Sequence, residues 1–454
     1  MPHESAGTRI PPLAGICSYA RAADPGLAVG PTVVRLKRLA YVLRRLADIA
    51  AAHLARTPEW EVKCALALHL WLDTEHATAL RNRIAEMREP PLGLDEAPDA
   101  RLEAALEETL RAADTAELLG AVYGVLRPEL LAAVRDHLRD LNPLFDHPTA
   151  RLLRIVELEQ GEAVTWGAAG QAVETDPEAA SRMEAFAAHV RSYLAAAGGV
   201  LGETGLPPSA SLPPPRWDGT AYEIDPDPRR DDRFVDAFNA TAKIDEIYAD
   251  ETVPPHERAL ALACKRLREM DVPEWMGPIL FAARLGPWEQ RRDLARQLWD
   301  ETRHAMMGET VLEAAGVPFH AYPIDMAASA SLNAEFTPLE AHLILWHIEQ
   351  GLMRSSTGKR FEWEVARLDD DPLIANLQDF DWADEVLHAQ IGRRCLPERI
   401  DGRPRAAVAA ELDERWAEAL ARYAASSPGR PWWDEFVERA AASRAREGDA
   451  SPSD

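Results

Sequence analysis

A five-residue pattern, Asp-Glu-x-x-His, occurs twice in this chain, 84 positions apart (385 minus 301). Its members are Asp300, Glu301 and His304 in the first copy, and Asp384, Glu385 and His388 in the second. On a helix, residues three positions apart project from the same face, so the Glu and the His of each copy can bind one metal ion together and share another. Carboxylate oxygens combined with imidazole nitrogens suit iron or manganese. The chain is therefore expected to bring two helices together around one buried metal centre.

The composition predicts helices around that centre. Ala, Leu, Arg and Glu dominate the long segments, and alternating Val, Ile and Thr are nearly absent, which is typical of helices rather than strands. The chain has 454 residues, of which 47% are hydrophobic, enough for two domains with well-developed cores. We predict an all-α fold.

Apolar residues recur at helical spacing along most of the chain. The predicted helices cover about 33–53, 60–88, 101–138, 149–168, 177–197, 233–250, 254–271, 274–285, 288–315, 337–367, 372–395, 404–424 and 431–446. The connection 316–337 is long enough to cross the full length of a bundle whose second and third helices run parallel. The predicted divisions are a helical domain at 1–200, a Pro-rich linker at 201–232, the metal domain at 233–400, C-terminal helices at 401–446 and a disordered tail at 447–454.

An internal repeat relates the two domains. Shifting the sequence by 228 positions makes ten of the thirty-one residues in 60–90 identical to their counterparts, including Trp60 with Trp288 and Trp71 with Trp299. Helical composition alone rarely aligns two tryptophan pairs, so we interpret the chain as two copies of one helical unit.

Two further ligands are expected from the other helices of the bundle. Across the turn marked by Gly286-Pro287, the carboxylate level with Glu301 is Glu274, because Glu269 lies several Å deeper at about 1.5 Å per residue. In the third helix, Glu349 stands in an otherwise apolar stretch. The competing residues there are Glu362 and Glu364.

Each Asp of the doubled pattern is a candidate partner for a ligand histidine. An Asp that directly precedes its Glu points about 100° away from that ligand around the helix, toward a neighbouring helix. We therefore expect Asp300 to accept a hydrogen bond from His388 and Asp384 to accept one from His304. Such contacts fix the tautomer of the histidine and tune the metal site.

With these residues, the segment 254–395 resembles the ferritin-like di-metal carboxylate superfamily. Its members include bacterial multicomponent monooxygenases, ribonucleotide reductase small subunits, rubrerythrins and tRNA-hydroxylating di-iron enzymes. The resemblance implies two ferritin-like helical bundles in tandem, with six metal ligands in the second one: Glu274, Glu301, His304, Glu349, Glu385 and His388. The doubled pattern is more similar to the oxygen-activating members than to ferritin.

One position departs from the reductase subunits, which carry their radical tyrosine one helical turn after the first histidine. This chain has Gly308 there, which excludes a tyrosyl radical at that place. Gly308 either makes room for a substrate or allows close helix packing.

The N-terminal copy lacks most of the ligand set. Under the 228-residue shift Asp73 and His76 stand opposite Glu301 and His304, but Leu46 stands opposite Glu274. The last motif aligns best with Gln160 and Ala163. We interpret 1–200 as a degenerate copy that has lost its metals and persists as a partner surface.

The net charge of the chain argues against two classes of partner. The net charge of −25 opposes binding to phosphate backbones and anionic lipid, so we expect neither nucleic acid nor membrane as a partner. The start of the chain lacks a basic stretch followed by an apolar signal core, which predicts a cytoplasmic protein.

The expected function is a di-iron or Mn/Fe oxidoreductase that activates O2 to oxidise a small organic substrate. Two Fe ions are the expected cofactor, with Mn as the alternative metal, and an electron-donor protein and a homodimer are the partners considered. The alternatives are a helical interaction protein with structural metals and ferroxidase-type iron handling. Fold alone does not decide among these reactions.

Overall fold

The computed structural model describes residues 10–203, 211–427 and 429–450. Within these residues the chain is helical apart from turns, extended connections and one two-stranded hairpin, which confirms the all-α prediction. The chain forms two compact units. Unit 1 is Met1–Ile49 with Leu72–Tyr222, and unit 2 is Ala50–Trp71 with Glu223–Asp454. The segment 50–71 thus groups with unit 2, although the sequence analysis assigned it to the first domain.

Unit 1 contains most of the N-terminal helices. These are α1 Tyr19–Ala22, α2 Val29–His53, α3 Trp60–Glu86, α4 Ala100–Leu110, α5 Thr115–Leu118, α6 Arg127–Asp140, α7 His147–Ala172 and α8 Pro177–Ala196; the end of α2 and the start of α3 belong to unit 2. The predicted helix 101–138 is interrupted, because the side chain of Asp114 accepts a hydrogen bond from the backbone of Glu117 and starts a new helix. A π-helical segment, Leu119–Leu126, follows α5.

Unit 2 contains the remaining elements. They are α9 Ile244–Ala249, α10 Pro255–Arg268, α11 Asp271–Ala282, α12 Trp288–Ala314, α13 Ala327–Glu335, α14 Pro338–Leu352, α15 Lys359–Ala366, α16 Pro372–Cys395, β1 Arg399–Ile400, β2 Arg403–Pro404, α17 Arg405–Ser426 and α18 Trp433–Ala450. The two strands pair antiparallel.

Four helical rods of unit 2 pack in a closed cycle. Rod A consists of α10 and α11, rod B of α12, rod C of α14 and α15, and rod D of α16. Rod A packs on rod B, rod B on rod D, rod D on rod C, and rod C on rod A. Side chains that point inward from all four rods therefore meet on one axis.

Rods A and C are each broken in the middle. Rod A is interrupted at Glu269 and Met270, between α10 and α11. Rod C, predicted as one helix over 337–367, is interrupted at 353–358 by a Ser-, Thr- and Gly-containing turn. At Gly358 a Cβ atom would lie 2.0 Å from the carbonyl oxygen of Leu352, so only glycine fits this bend.

Capping residues fix where two of the rods begin. Thr337 and Glu340 form a reciprocal capping box that starts α14, and the side chain of Asp371 accepts a hydrogen bond from the backbone of Leu373 at the start of α16. These caps satisfy backbone N–H groups that have no partner in the first helical turn. They set the register of Glu349 and Glu385 along their rods.

Three segments outside the four rods differ from the sequence prediction: the connection 316–337, the predicted helix 233–250 and the predicted disordered tail. The connection 316–337 contains α13, and the predicted helix 233–250 is reduced to α9. The described parts of the predicted linker, 201–203 and 211–232, contain neither helix nor strand. The backbone of the predicted disordered tail is helical to Ala450, and 451–454 lie outside the described residues.

The apolar core of unit 2 joins α10, α12 and α18 through buried residues such as Leu260, Leu267, Leu312 and Phe436. Each buried Leu or Phe contributes about 1.5–3 kcal/mol relative to an exposed one, so this core holds rods A and B together. Among the described residues, no helix is long and apolar enough to cross a membrane.

Candidate metal centre

The first group of candidate ligands lies where rods B, C and D meet. It comprises Glu301 on α12, Glu349 on α14, and Glu385 and His388 on α16, all buried, each with one ligand atom within 4.8 Å of the others. The Nδ1 atom of His388 lies 3.1 Å from Oε1 of Glu301 and 3.4 Å from Oε2 of Glu385. We call these four residues cluster 1. The sequence analysis named all four as ligands.

A second group lies where rods A, B and D meet. It comprises Glu269 at the end of α10, His304 on α12 and Asp381 on α16, again with ligand atoms within 4.8 Å of one another. The Nδ1 atom of His304 lies 3.3 Å from Oε2 of Glu269 and 3.4 Å from Oδ1 of Asp381. We call these three residues cluster 2. Of them, only His304 is in the predicted ligand set.

The two clusters adjoin. The ring centroids of His304 and His388 are 5.9 Å apart, and Nδ1 of His304 lies 3.9 Å from Oε2 of Glu301 in cluster 1. Both clusters present an imidazole Nδ1 atom and carboxylate oxygens toward the same interior. Together they form one extended donor set that four rods contribute.

Behind each histidine stands the Asp of the other helix. The Nε2 atom of His304 lies 3.2 Å from Oδ2 of Asp384, and Nε2 of His388 lies 3.4 Å from Oδ2 of Asp300. This is the crossed pairing predicted from the helical geometry. If Nε2–H donates to the carboxylate in each case, the lone pair of Nδ1 faces the cluster.

Two arginines fix the aspartates in turn. Arg303 donates to Oδ1 of Asp300 at 2.7 Å and to Oδ2 of Asp384 at 2.6 Å, and Arg296 donates to Asp300 at 2.7 Å. Burial alone would raise the pKa of Asp300, but hydrogen bonds from His388, Arg296 and Arg303 outweigh burial and lower it. The Asp300 carboxylate therefore stays charged and can accept a hydrogen bond from Nε2 of His388.

Glu274, the ligand predicted for the first helix, is in neither cluster. It is fully buried and pairs with the Nζ of Lys63 and with the guanidinium of Arg230. The register argument assumed one straight helix back from Gly286. Rod A is instead interrupted at Glu269 and Met270, and Glu269, the residue ranked second, lies in the cluster.

The sequence analysis did not identify Asp381, although a signal was present. Asp381, Glu385 and His388 form the pattern Asp-x-x-x-Glu-x-x-His. Residues four positions apart share a helix face just as residues three apart do, so Asp381 lies on the ligand face of α16. The two Asp-Glu-x-x-His copies do not share this Asp, because Gln297 stands at the same offset in the first copy.

The two competitors of Glu349 lie elsewhere on rod C. Glu362 is buried and binds Lys265 at 2.5 Å and Arg266 at 3.0 Å. Glu364 is on the surface, where it pairs with Arg360. Glu349 is the one of the three in a cluster, where Gln297 donates to its Oε1 at 3.0 Å.

Burial and mutual repulsion perturb the carboxylates of cluster 1. Burial, together with the charge of Glu385, holds the pKa of Glu349 well above its usual value. The pKa of Glu301 is raised for the same reasons. Burial alone would lower the pKa of His388, but the nearby carboxylates of Asp300, Glu301 and Glu385 outweigh burial and raise it well above its usual value. Such a group of buried acids demands protons or a cation.

Several donor atoms in the clusters have no hydrogen-bond partner among the described residues. They are Oε2 of Glu269, Glu349 and Glu385, and Nδ1 of His304 and His388. Buried polar atoms are nearly always hydrogen-bonded in folded proteins. Five unpaired lone-pair donors on carboxylates and imidazoles are the donor types that bind iron or manganese, so the residues present fit a metal centre.

Two buried cations adjoin cluster 2. The Nζ atom of Lys359 lies 2.8 Å from Oδ1 of Asp381 and 3.3 Å from Oε1 of Glu269. The guanidinium of Arg266 lies 2.5 Å from Oδ1 of Asp381 and 3.0 Å from Oε1 of Glu269. These contacts leave cluster 2 partly neutralised by the protein itself. Neither Lys359 nor Arg266 was predicted from the sequence to lie at this site.

At the positions of unit 1 that align with this centre under the 228-residue shift, the described residues form no metal-type donor set. Arg127 donates to both carboxylate oxygens of Asp73, at 3.2 and 2.8 Å, and to Gln160 at 2.9 Å. Gln160 also donates to Asp73 at 2.7 Å, and His76 pairs with Glu159 at 2.5 Å. Asp73, Arg127 and Gln160 are all buried. The guanidinium therefore compensates the buried charge of Asp73.

Gly308 allows close helix packing. A Cβ atom at this position would lie 2.4 Å from the backbone nitrogen of Leu267 and 2.7 Å from the carbonyl oxygen of Ala263. The backbone of α10 thus occupies the space beside Gly308. Of the two interpretations of Gly308 in the sequence analysis, the structure supports packing rather than room for a substrate.

Comparisons of the chain with protein-family models, with curated proteins and with solved structures gave no match in any of the three. The function is therefore inferred from the geometry of clusters 1 and 2.

Proposed function

We propose that unit 2 is a ferritin-like di-metal carboxylate oxidoreductase that binds two iron ions, or Mn and Fe, and uses O2 to oxidise a small organic substrate. The observation that carries this proposal is the pair of adjoining buried clusters, in which two imidazole Nδ1 atoms and the carboxylates of four rods face one another. A pair of adjacent carboxylate and histidine sites within a helical bundle is the arrangement of di-metal carboxylate proteins.

Iron and manganese are favoured by the donor chemistry. The clusters offer carboxylate oxygens and imidazole nitrogens without thiolate, which suits these metals better than soft ions. Glu301, Glu349, Glu385 and His388 would hold one ion, and Glu269, His304 and Asp381 would hold the other.

The protein residues around the clusters would do three things. Asp300 and Asp384 hold the histidines in the tautomer that leaves Nδ1 free, the four rods exclude bulk water, and the unpaired oxygens of Glu349 and Glu385 offer alternative coordination positions. When bound, iron supplies the electrons and the open coordination position that O2 chemistry requires.

An electron donor is part of the proposal. Insertion of one atom of O2 into an organic C–H bond consumes two electrons and two protons and releases one molecule of water. The organic substrate does not supply these two additional electrons. A reductase or ferredoxin-like partner is therefore the chemical class of protein that we expect to act with unit 2.

The test is anaerobic Fe(II) loading of the full chain followed by rapid mixing with O2. We expect about two irons per chain by elemental analysis at saturating Fe(II), with O2 consumption and a transient visible absorbance after mixing. Glu349→Gln should diminish both iron loading and O2 consumption. The matched control is Glu364→Gln on the same rod, which removes only a surface carboxylate and should leave both unchanged.

Three other results would each point elsewhere. A chain that binds no iron would contradict the metal centre itself. Bound iron that does not react with O2 would indicate a structural metal, and continued uptake of iron far beyond two ions per chain would indicate iron storage.

A further inference from the structure

Lys359 places an ammonium group between the two clusters. Its side chain is buried, and Nζ lies 2.8 and 3.1 Å from the two oxygens of Asp381, 3.3 Å from Glu269 and 2.8 Å from Oε1 of Glu385. Asp381 and Glu269 belong to cluster 2, whereas Glu385 belongs to cluster 1. One protein cation thus contacts three of the carboxylates that would bind the metals.

The position of Lys359 is unfavourable in every other respect. Lys359 is the first residue of α15, where the helix dipole disfavours a positive charge, and fully buried lysines are rare unless they are paired. The break in rod C, which depends on Gly358, directs this first residue into the bundle. Among the described residues, the ion pairs of Lys359 are with carboxylates of the two clusters, so the ammonium belongs to the same buried group.

The two clusters differ in the cations that they already contain. In cluster 2, Glu269 and Asp381 each contact both Lys359 and Arg266. In cluster 1, Lys359 contacts Glu385, and no Lys or Arg ion pair to Glu301 or Glu349 is found among the described residues. Cluster 1 therefore retains more uncompensated negative charge for a metal ion.

We infer that Lys359 makes the metal centre asymmetric: cluster 1 binds the first ion tightly, and cluster 2 binds the second ion weakly because the ammonium of Lys359 must leave Glu269 and Asp381. Lys359, beside Arg266, thus lowers the affinity for the second ion and with it the number of ions bound at a given metal concentration. This inference rests on the proposed metal centre. The charge of an ammonium opposes a divalent cation at the same carboxylates, and the opposition is strong at a buried site.

The test is anaerobic equilibrium dialysis of the full chain against Fe(II), with elemental analysis at each concentration. For the wild-type chain we expect one tight ion and a second ion bound roughly 10- to 100-fold more weakly, the range that neighbours of metal ligands typically control. Lys359→Met retains the length of the side chain without its charge, and it should raise the second affinity by roughly the same factor.

Two further variants control for charge and for folding. Lys265→Met removes a neighbouring lysine that pairs with Glu362 and Asp245 rather than with either cluster, so it should leave both affinities unchanged. Lys359→Arg keeps the charge and should keep the second ion weak. Circular dichroism of each variant establishes that it is folded before dialysis.

The inference and the proposed function fail in different ways. Two ions of equal affinity in the wild-type chain would overturn the inference and leave the metal centre intact, as would a folded Lys359→Met chain whose second affinity is unchanged. Equal affinities in the wild-type chain would overturn the inference even if Lys359→Met does not fold. No bound iron in the wild-type chain would contradict the proposed function itself.

Discussion

Unit 1 and unit 2 each bury an acidic side chain at the same point of the internal repeat, and they stabilise it differently. In unit 1 the acid is Asp73, and Arg127 and Gln160 donate hydrogen bonds to it. In unit 2 the acid is Glu301, which faces Glu349, Glu385 and His388 with several donor atoms left unpaired. A protein cation completes the first arrangement, whereas the second leaves buried donor atoms that protons or a metal ion could satisfy.

Among the described residues, a metal-type donor set is found in unit 2 and not in unit 1. A guanidinium supplies fixed donors that match one carboxylate, so Arg127 makes unit 1 stable without a ligand. Unit 2 contains an intermediate case in Lys359, which neutralises part of cluster 2 but does not reach Glu301 or Glu349. The buried carboxylates of this chain thus differ in how far protein cations neutralise them: Asp73 most, cluster 2 in part, and Glu301 and Glu349 least.

The largest expected effect is the loss of metal from unit 2. His388→Ala removes the imidazole of cluster 1, so the tight iron site should disappear from the full chain. His76→Ala in unit 1 should leave iron binding unchanged, because no group of potential metal ligands was found around His76 among the described residues. Elemental analysis after dialysis against Fe(II) compares the two. Equal loss of iron from both variants would mean that unit 1 also binds metal.

The next effect is on the stability of unit 1. Arg127→Met leaves Asp73 buried without its charge partner, which typically costs about 3–5 kcal/mol. Hydrogen exchange in α3, α6 and α7 should accelerate accordingly, with iron binding by unit 2 preserved. The control is Arg135→Met on the same helix, whose ion pair with Glu157 is exposed and should contribute less than about 1 kcal/mol. Unchanged exchange in Arg127→Met would show that the guanidinium is not what stabilises Asp73.

The free energy of unfolding of unit 1 should fall at acid pH, independently of any metal. Burial of His137, assisted by the charge of Arg35, lowers its pKa to about 4 against the opposing effects of Asp146 and Asp140. The unfolded chain binds this proton near pH 6.5 and the folded chain near pH 4. Stability is therefore fully present above about pH 6.5 and is lost as the pH falls toward 4, by at most about 3 kcal/mol.

Replacement of His137 tests this assignment, because neither ring nitrogen has a hydrogen-bond partner among the described residues. His137→Leu should flatten the dependence of hydrogen exchange in α6 on pH between 6.5 and 4. Exchange in α17 of unit 2 serves as the internal reference. A slope in α6 that is the same with and without His137 would assign the acid sensitivity to other groups.

The smallest effect on metal affinity is expected from Asp384, which contacts a candidate ligand histidine but does not itself face the metal site. Asp384→Asn weakens the hydrogen bond to Nε2 of His304 and should reduce metal affinity at cluster 2 by roughly 10- to 100-fold without emptying cluster 1. Asp379→Asn, an exposed position on the same helix, is the control. Dialysis against Fe(II) measures both. Affinities that do not differ between these variants would show that Asp384 does not tune its histidine.

Much of the centre was predictable because it depends on helical spacing. Glu301, His304, Glu385 and His388 repeat one pattern, and a rotation of about 100° per residue also predicts the crossed contacts of Asp300 and Asp384. Glu349 was predictable because a carboxylate in an apolar helix face needs a compensating partner.

The rest depends on where helices break, which periodicity does not reveal. Rod A breaks at Glu269 and Met270, shortly before Pro273, but the residue count back from Gly286 treated it as one continuous helix and so favoured Glu274 over Glu269. The bend that ends at Gly358 places Lys359 beside the two clusters. From the sequence, which predicts one continuous helix here, Lys359 is indistinguishable from an ordinary surface lysine. Arg127 follows a π-helical segment, and a change of helical period hides which face a residue occupies.

The most direct test of the account is an anomalous-difference map at the iron absorption edge, from crystals of the full chain loaded with Fe(II) without O2. The account predicts a strong peak bound by Nδ1 of His388 and the carboxylates of cluster 1, a weaker peak among Glu269, His304 and Asp381, and no peak beside Asp73 and Arg127. A peak in unit 1, or no peak at cluster 1 in iron-loaded crystals, would contradict it.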